Sequence, residues 1–125
     1  MTLDRPLAGR PAAEPPSDPL PLEIDAAELA GLRSGPQAYA LLDVREPWEL
    51  AICGFSEALH VPLGALAGRE HELPRDRPLI VFCHRGHRSL LATQYLRRLG
   101  LSAAVNLRGG VETYAPEVDP SMARY

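Results

Sequence analysis

The feature that most constrains this chain is an apolar run at residues 78–82, which ends directly at a polar segment, residues 83–89. Consecutive large apolar side chains are typical of a strand buried on both faces of a parallel sheet. A helix is predicted next, over about residues 89–99, and Gly100 is placed to end it. A strand, a loop and a helix in this order favour an α/β fold.

The rest of the chain repeats this alternation. Asp25 is a plausible N-cap, and Glu28 at the third helical position predicts a capping box. In the helix after the polar segment, Leu91, Tyr95 and Leu99 form an apolar stripe. Further strands are expected at 38–44, 58–63 and 102–107, and further helical segments at 46–52, 63–73 and 111–115. We therefore predict a three-layer α/β domain, with a central, mostly parallel sheet flanked by helices.

Composition divides the chain into three parts. Residues 1–21 hold six prolines and few large apolar side chains, which predicts a flexible Pro-rich N-terminal leader. Residues 22–118 are expected to form one folded domain, and residues 119–125 a C-terminal tail. With 125 residues, 46% of them hydrophobic, the chain is long enough for a core that needs no disulfide.

Charge and composition exclude several classes of function. The net charge is −3 with mixed signs, so no nucleic-acid partner is expected. All 13 basic residues other than histidine are arginine, which excludes a Schiff-base or P-loop lysine and suggests a bacterial genome rich in GC. No apolar run approaches the roughly 18 residues of a membrane span, and the N-terminus lacks a signal-peptide pattern. We expect a cytoplasmic protein whose two cysteines, Cys53 and Cys83, form no disulfide.

Cys83 is the candidate nucleophile. It lies at the carboxyl end of a predicted parallel strand, where ligand sites of such sheets are found. Loop N–H groups, the positive end of the following helix, and Arg85 and Arg88 should all favour its thiolate. Gly86 lets the loop curl through a positive φ. A thiolate in such an anion cradle suits small anions that carry an electrophilic sulfur or phosphorus. An inert buried cysteine would leave the two arginines and two histidines after it unexplained.

Segment 83–89 resembles the active-site loop of the rhodanese family of sulfurtransferases, whose pattern is Cys-x-x-Gly-x-Arg-Ser/Thr. All the fixed positions are matched, by Cys83, Gly86, Arg88 and Ser89. The resemblance implies a rhodanese-like fold and a cysteine that carries sulfur.

The flanking segments resemble the same family. Residues 43–46, 58–63 and 106–110 are similar to family segments in the same order, so the resemblance runs from about residue 22 to residue 115. The loop at 54–58 is one residue shorter than the family's Gly-His-Ile-Pro-Gly-Ala segment. Tyr114 stands where members often have tryptophan. Neither difference touches the cysteine loop, so altered local packing is expected.

The resemblance implies a sulfur transfer in two steps. The Cys83 thiolate attacks the outer sulfur of thiosulfate, or of a similar anionic donor, and expels sulfite. Cyanide, a thiol or a protein cysteine then takes the sulfur from the Cys83 persulfide. This is covalent catalysis with electrostatic stabilisation, and it needs no metal or organic cofactor. The predicted substrate-binding residues are His84, Arg85, Gly86, His87, Arg88 and Ser89.

Two roles remain open for Arg88. With Arg85 it is expected to hold the sulfonate of the donor, while the alternative is that it braces the loop against a carboxylate. Asp43 and Arg45 are predicted supporting residues, as a buried ion pair that joins the end of a strand to the active loop. Zinc binding by the cysteine and histidines of this loop is not expected, because one tight loop cannot easily surround a tetrahedral ion.

Two other functions compete with sulfur transfer. A phosphatase or arsenate reductase would use a similar loop, but dual-specificity phosphatases of related fold have five residues between cysteine and arginine. Here four residues separate Cys83 from Arg88. A non-catalytic rhodanese-like binding module is the second alternative, although inactive members usually lack the cysteine.

Overall fold

The computed structural model describes residues 20–125. The predicted Pro-rich leader, residues 1–21, lies outside the described residues except at its end. There, the carbonyl oxygens of Leu20 and Pro21 accept hydrogen bonds from the Arg97 guanidinium, at 3.0 and 2.8 Å.

The described residues form five strands and four α-helices. The strands are β1 (Glu23–Ile24), β2 (Ala40–Asp43), β3 (Leu59–His60), β4 (Leu79–Phe82) and β5 (Ala104–Leu107). The helices are α1 (Ala26–Ser34), α2 (Pro47–Leu50), α3 (His87–Arg98) and α4 (Gly110–Glu117). Two 3-10 turns, Leu63–Ala65 and Glu70–Glu72, connect β3 to β4.

The strands form one sheet in the order β1-β5-β4-β2-β3, and each neighbouring pair is parallel. Strand β4 is central, with Leu79 opposite Ala40 of β2 and Ala104 of β5. A central strand has no edge and no solvent-facing side, which explains why its four residues are all apolar and buried. The α/β prediction is confirmed.

Two apolar clusters cover the two faces of the sheet. Leu79 and Val81 of β4 belong to the cluster that includes α3. Ile80 and Phe82, which point the other way because strand side chains alternate, belong to the cluster that includes α1 and α4. The sheet therefore lies between two helical layers. The predicted capping box also opens α1: Asp25 accepts from the Glu28 N–H at 2.8 Å, and the Glu28 side chain accepts from the Asp25 N–H at 2.9 Å.

Helix α3 differs from its prediction in start and in face. It begins at His87, two residues earlier than expected, because the left-handed Gly86 (φ 100°) ends the loop there. Of the predicted stripe, Leu91 and Leu99 are 60% and 42% exposed, whereas Tyr95 is partly buried against the core. The buried residues are Ser89, Ala92, Thr93 and Leu96. These are i, i+3, i+4 and i+7 from Ser89, so the residue that faces the cysteine sets the rotation of the helix.

Other elements are shorter than the sequence suggested. The helical spacing of residues 63–73 yields only the two 3-10 turns, and α2 ends at Leu50. Strand β1, which was not predicted, has two residues and pairs with Asn106 and Leu107 of β5. Within residues 20–125, no helix combines the length and the apolar character that crossing a membrane requires.

Candidate active site

Cys83 directly follows β4, where the central strand ends and the loop to α3 begins. Its side chain is 1% exposed and its thiol is free. The Sγ atom accepts from the Gly86 N–H at 3.1 Å, the Ser89 N–H at 3.4 Å and the Ser89 hydroxyl at 3.3 Å. Three donors directed at one sulfur, at the N-terminal end of a helix, stabilise negative charge on that sulfur. The structure thus brings Gly86 and Ser89 of the predicted site onto Cys83.

The loop depends on glycine at position 86. Its φ of 100° is in the left-handed region. A Cβ there would lie 3.0 Å from the Gly109 nitrogen and 3.4 Å from the Leu107 carbonyl oxygen. The Gly86 carbonyl in turn accepts from the Asn106 side-chain amide at 3.3 Å. The end of β5 therefore presses directly against the loop and holds its shape.

The start of α4 holds the other side of the loop. The N–H groups of Val111 and Glu112 donate to the carbonyl oxygens of Cys83 and His84, at 3.1 and 2.9 Å. A Cβ at Gly110, whose φ is 58°, would overlap both of these carbonyl oxygens. Gly110 is the second residue of a double glycine in segment 106–110, which the sequence marked only as similar to a family segment. The structure shows that it permits the approach of α4 to the cysteine loop.

Arg88 forms a bidentate ion pair with Glu49 of α2. Its Nη1 and Nη2 atoms lie 2.7 and 2.8 Å from the two carboxylate oxygens. The hydrogen bonds from Arg88 lower the pKa of Glu49 to about 2, although burial opposes this change. This is the bracing arrangement that the sequence left open, and a role of Arg88 towards a donor remains a prediction. No motif signal singled out Glu49, which lies 39 residues before Arg88 in the chain.

Asp43 and Arg45 form the expected buried ion pair. Arg45 Nη2 lies 2.8 Å from Asp43 Oδ2, and their side chains are 0% and 2% exposed. The pair fixes the chain after β2, because Arg45 also donates to the Cys53 carbonyl at 2.7 Å. The predicted junction with the active loop is indirect: Arg45 Nη1 donates to the Tyr125 hydroxyl at 2.9 Å.

Tyr125 completes this network, and sequence reasoning missed it. Its hydroxyl donates to Glu49 Oε1 at 2.8 Å, and burial raises the pKa of this phenol to about 12. Its ring stacks on the His84 imidazole, with centroids 3.9 Å apart and an angle of 15°. Trp48, 63% exposed, meets the same ring edge-on at 5.8 Å. The predicted tail, residues 119–125, thus returns to the cysteine loop.

A cavity of about 200 Å³ opens above the cysteine, lined by Cys83, His84, Arg85, His87 and Arg88. Arg85 and His87 are exposed, and neither has a hydrogen-bond or ion-pair partner within residues 20–125. His84 is half-buried and lies 2.9 Å from Glu112 through its Nε2 atom. The mouth of the cavity is therefore basic, and its floor carries a thiol surrounded by hydrogen-bond donors. Such a pocket can admit a small anion and place it against a nucleophilic sulfur.

The described residues, 20–125, contain no cluster of candidate metal ligands. Within the residues that the structure describes, no group of three or more His, Cys, Asp or Glu side chains could hold a metal ion.

The sequence is similar to known proteins over most of its length, not only at the cysteine loop. The sequence model described as "Rhodanese-like domain" matches residues 25–117. A protein of Allochromatium vinosum named "Sulfurtransferase" is 34% identical over 101 residues, which cover 81% of this chain and 94% of that protein. "Probable adenylyltransferase/sulfurtransferase MoeZ" of Mycobacterium tuberculosis is 33% identical over 104 residues. That match covers 82% of this chain but only 26% of the longer MoeZ protein.

Solved structures show the same similarity. A rhodanese-related protein from Thermoplasma volcanium has a TM-score of 0.69 and 34% identity, covering 77% of this chain and 92% of that one. The human single-domain sulfurtransferase TSTD1 has a TM-score of 0.63 and 27% identity, covering 78% of this chain and 97% of that one.

Proposed function

This chain belongs to the rhodanese-like domain family, and we propose that it is a sulfurtransferase that carries sulfane sulfur as a persulfide on Cys83. The observation that carries the proposal is the set of three hydrogen bonds directed at Cys83 Sγ, at the floor of an open basic cavity. Two relatives named as sulfurtransferases, each matched over more than nine-tenths of its own length, support the same activity.

In the loading step, the Cys83 thiolate attacks the outer sulfur of thiosulfate or a similar anionic donor. A new sulfur–sulfur bond forms at Cys83, the bond in the donor breaks, and sulfite leaves with the electron pair. Arg85 and His87 are free to attract the donor, because the structure gives neither another partner within residues 20–125. The N–H groups of Gly86 and Ser89 stabilise the anionic sulfur.

In the discharge step, a thiophilic acceptor attacks the outer sulfur of the persulfide and releases the Cys83 thiolate. Cyanide, a small thiol and the cysteine of a partner protein are all chemically suitable acceptors. Each displacement forms one bond to sulfur and breaks one, so neither requires a cofactor. A cytoplasmic location fits this chemistry, since both cysteines are free thiols.

The position of Arg88 argues against a phosphatase. In the phosphatase pattern, the arginine near the end of the cysteine loop has to be free to hold the phosphoryl oxygens. Here both terminal nitrogens of Arg88 are occupied by Glu49, at 2.7 and 2.8 Å. The loop is also one residue shorter than the phosphatase spacing. The geometry therefore favours sulfur transfer over hydrolysis of a phosphate ester.

Turnover of thiosulfate and cyanide to thiocyanate and sulfite tests this proposal. The wild-type protein and Cys53→Ser should both turn over, because Cys53 lies outside the loop and its sulfur is absent from the cavity above Cys83. Cys83→Ser should have no activity while keeping the thermal midpoint of the wild type within a few degrees. Equal turnover by Cys83→Ser would disprove the persulfide mechanism. Hydrolysis of an aryl phosphate by the wild type, without sulfur transfer, would favour the phosphatase instead.

A further inference from the structure

The His84 side chain is held on two sides at the mouth of the cavity. Its Nε2 atom lies 2.9 Å from Glu112 Oε1, and its ring lies flat against Tyr125 at 3.9 Å. The side chain is 15% exposed and lines the same cavity as Cys83. An imidazole that is fixed in orientation and open to a cavity next to a nucleophile is placed for proton transfer.

The hydrogen-bond partner of His84 Nε2 determines which ring nitrogen can accept a proton. A carboxylate only accepts hydrogen bonds, so Nε2 must carry the proton that is donated to Glu112. In the neutral imidazole, Nδ1 then holds a lone pair. The loop itself does not need this side chain, because it is the His84 backbone carbonyl that accepts from the Glu112 N–H. The two side-chain contacts therefore position a ring that the backbone does not require.

We propose that His84 is the general base of the discharge step, accepting a proton at Nδ1 from an acceptor thiol, with Glu112 and Tyr125 as positioning residues. This inference rests on the proposed sulfurtransferase function and specifies its acceptors as thiols. The acceptor S–H bond breaks, its proton goes to Nδ1, and the resulting thiolate attacks the outer sulfur of the Cys83 persulfide. The sulfur–sulfur bond at Cys83 breaks, the Cys83 thiolate is restored, and the acceptor leaves as a persulfide. The imidazolium then releases its proton to water.

The charges around the ring suit this step. An imidazolium at position 84 would face the Glu112 carboxylate from α4 and the Cys83 thiolate beside it. These negative charges offset the guanidinium groups of Arg85 and Arg88, which line the same cavity. The Tyr125 phenol, whose pKa is about 12, stays neutral and contributes the face of its ring.

A discharge assay with two acceptors tests the inference. The protein is first loaded with thiosulfate and freed of excess donor, and persulfide loss is then followed by intact mass after mixing with cysteine or with sulfite. Sulfite has a free lone pair on sulfur and needs no base, whereas cysteine must lose a proton. In His84→Phe, which keeps an aromatic ring against Tyr125, the ratio of cysteine discharge to sulfite discharge should fall by on the order of 100-fold.

Raising the pH gives a readout that a structural role would not move. Above the thiol pKa of about 8.5, cysteine supplies its own thiolate, so the His84→Phe defect should disappear. Glu112→Gln should lower the same ratio less, because an amide can accept from Nε2 or donate to it. The matched control His71→Phe replaces an exposed histidine that lies outside the cysteine loop and outside the cavity, and the ratio should stay at the wild-type value.

The outcomes separate the two proposals. If wild-type protein loads sulfur but His84→Phe and Glu112→Gln keep the wild-type ratio at neutral pH, the general-base assignment is overturned and the persulfide mechanism stands. A defect that persists unchanged at high pH also overturns the assignment. If the wild type acquires no sulfur from thiosulfate or from a polysulfide, the proposed function fails and the inference fails with it.

Discussion

Replacement of Glu49 by glutamine tests how the cysteine loop is anchored. The Glu49 carboxylate is 3% exposed and binds both terminal nitrogens of Arg88, at 2.7 and 2.8 Å. It also accepts from the Tyr125 hydroxyl at 2.8 Å. Glutamine keeps the size and shape of the side chain but removes the negative charge. Any change in the free energy of unfolding therefore reports mainly on that charge.

The magnitude follows from the pKa of Glu49, which the Arg88 hydrogen bonds lower from the ordinary 4.5 to about 2. One pKa unit corresponds to about 1.4 kcal/mol, so the ionised carboxylate stabilises the fold by at most about 3–4 kcal/mol. The Arg88 side chain is 36% exposed, and solvent screens its half of the pair. We therefore expect Glu49→Gln to lower the free energy of unfolding by about 2 kcal/mol near neutral pH.

The direction of this pKa change determines how the stability contributed by Glu49 varies with pH. Because folding lowers this pKa, the stabilisation is fully present above pH 4.5 and is lost as the pH falls towards about 2. The wild type should therefore lose this contribution on acidification, while Glu49→Gln has none to lose at this position. The difference between the two proteins should shrink steadily below pH 4.5.

Urea unfolding followed by circular dichroism, at neutral pH and at several acidic values, measures this difference. Glu117→Gln, an exposed carboxylate of α4, is the matched control and should change stability by less than about 0.5 kcal/mol. Equal stability of Glu49→Gln and wild type at neutral pH would refute the anchoring argument. A difference that stays constant from neutral to acidic pH would refute it as well, since the carboxylate charge would then not be its source.

Other substitutions test the remaining supports of the site. Gly110→Ala should lower the free energy of unfolding by about 1–3 kcal/mol and slow persulfide loading, because its Cβ would overlap two carbonyl oxygens of the cysteine loop. The control Gly64→Ala has open space around its Cβ and should change neither the stability nor the loading rate. Arg45→Met should cost about 3–5 kcal/mol by urea unfolding, since it leaves the buried Asp43 carboxylate unpaired, and a second change, Asp43→Asn, should recover much of that loss. Tyr125→Phe keeps the aromatic ring but removes the hydroxyl between Arg45 and Glu49. It should lower the free energy of unfolding by about 1 kcal/mol.

Local signals in the sequence predicted the centre of the fold. Strand β4 is an uninterrupted apolar run, and its burial on both faces follows from its place in the middle of a parallel sheet. The capping box of α1 needs only two residues three positions apart, so spacing alone is enough to predict it. The cysteine loop is likewise continuous in sequence, which is why its donors to Sγ could be predicted from the sequence.

What the sequence missed depends on distant partners. Glu49 and Tyr125 meet each other across 76 positions, and no periodic pattern signals a contact of that kind. The buried face of α3 was predicted wrongly because apolar character suggested Leu91, whereas the contact between Ser89 and Cys83 fixes the helix rotation. Strand β1 has only two residues, too few for any periodicity, and it forms because β5 offers a parallel partner.

The intact mass of the protein, measured after a brief incubation with thiosulfate in the absence of reductant, tests whether Cys83 carries sulfur. We predict a gain of one sulfur atom, located on the peptide that contains Cys83 and removed by a thiol acceptor. Cys53→Ser should gain the same mass, and Cys83→Ser should gain none. Sulfur found on Cys53 alone, or an equal gain in Cys83→Ser, would contradict the central claim that Cys83 carries the sulfur.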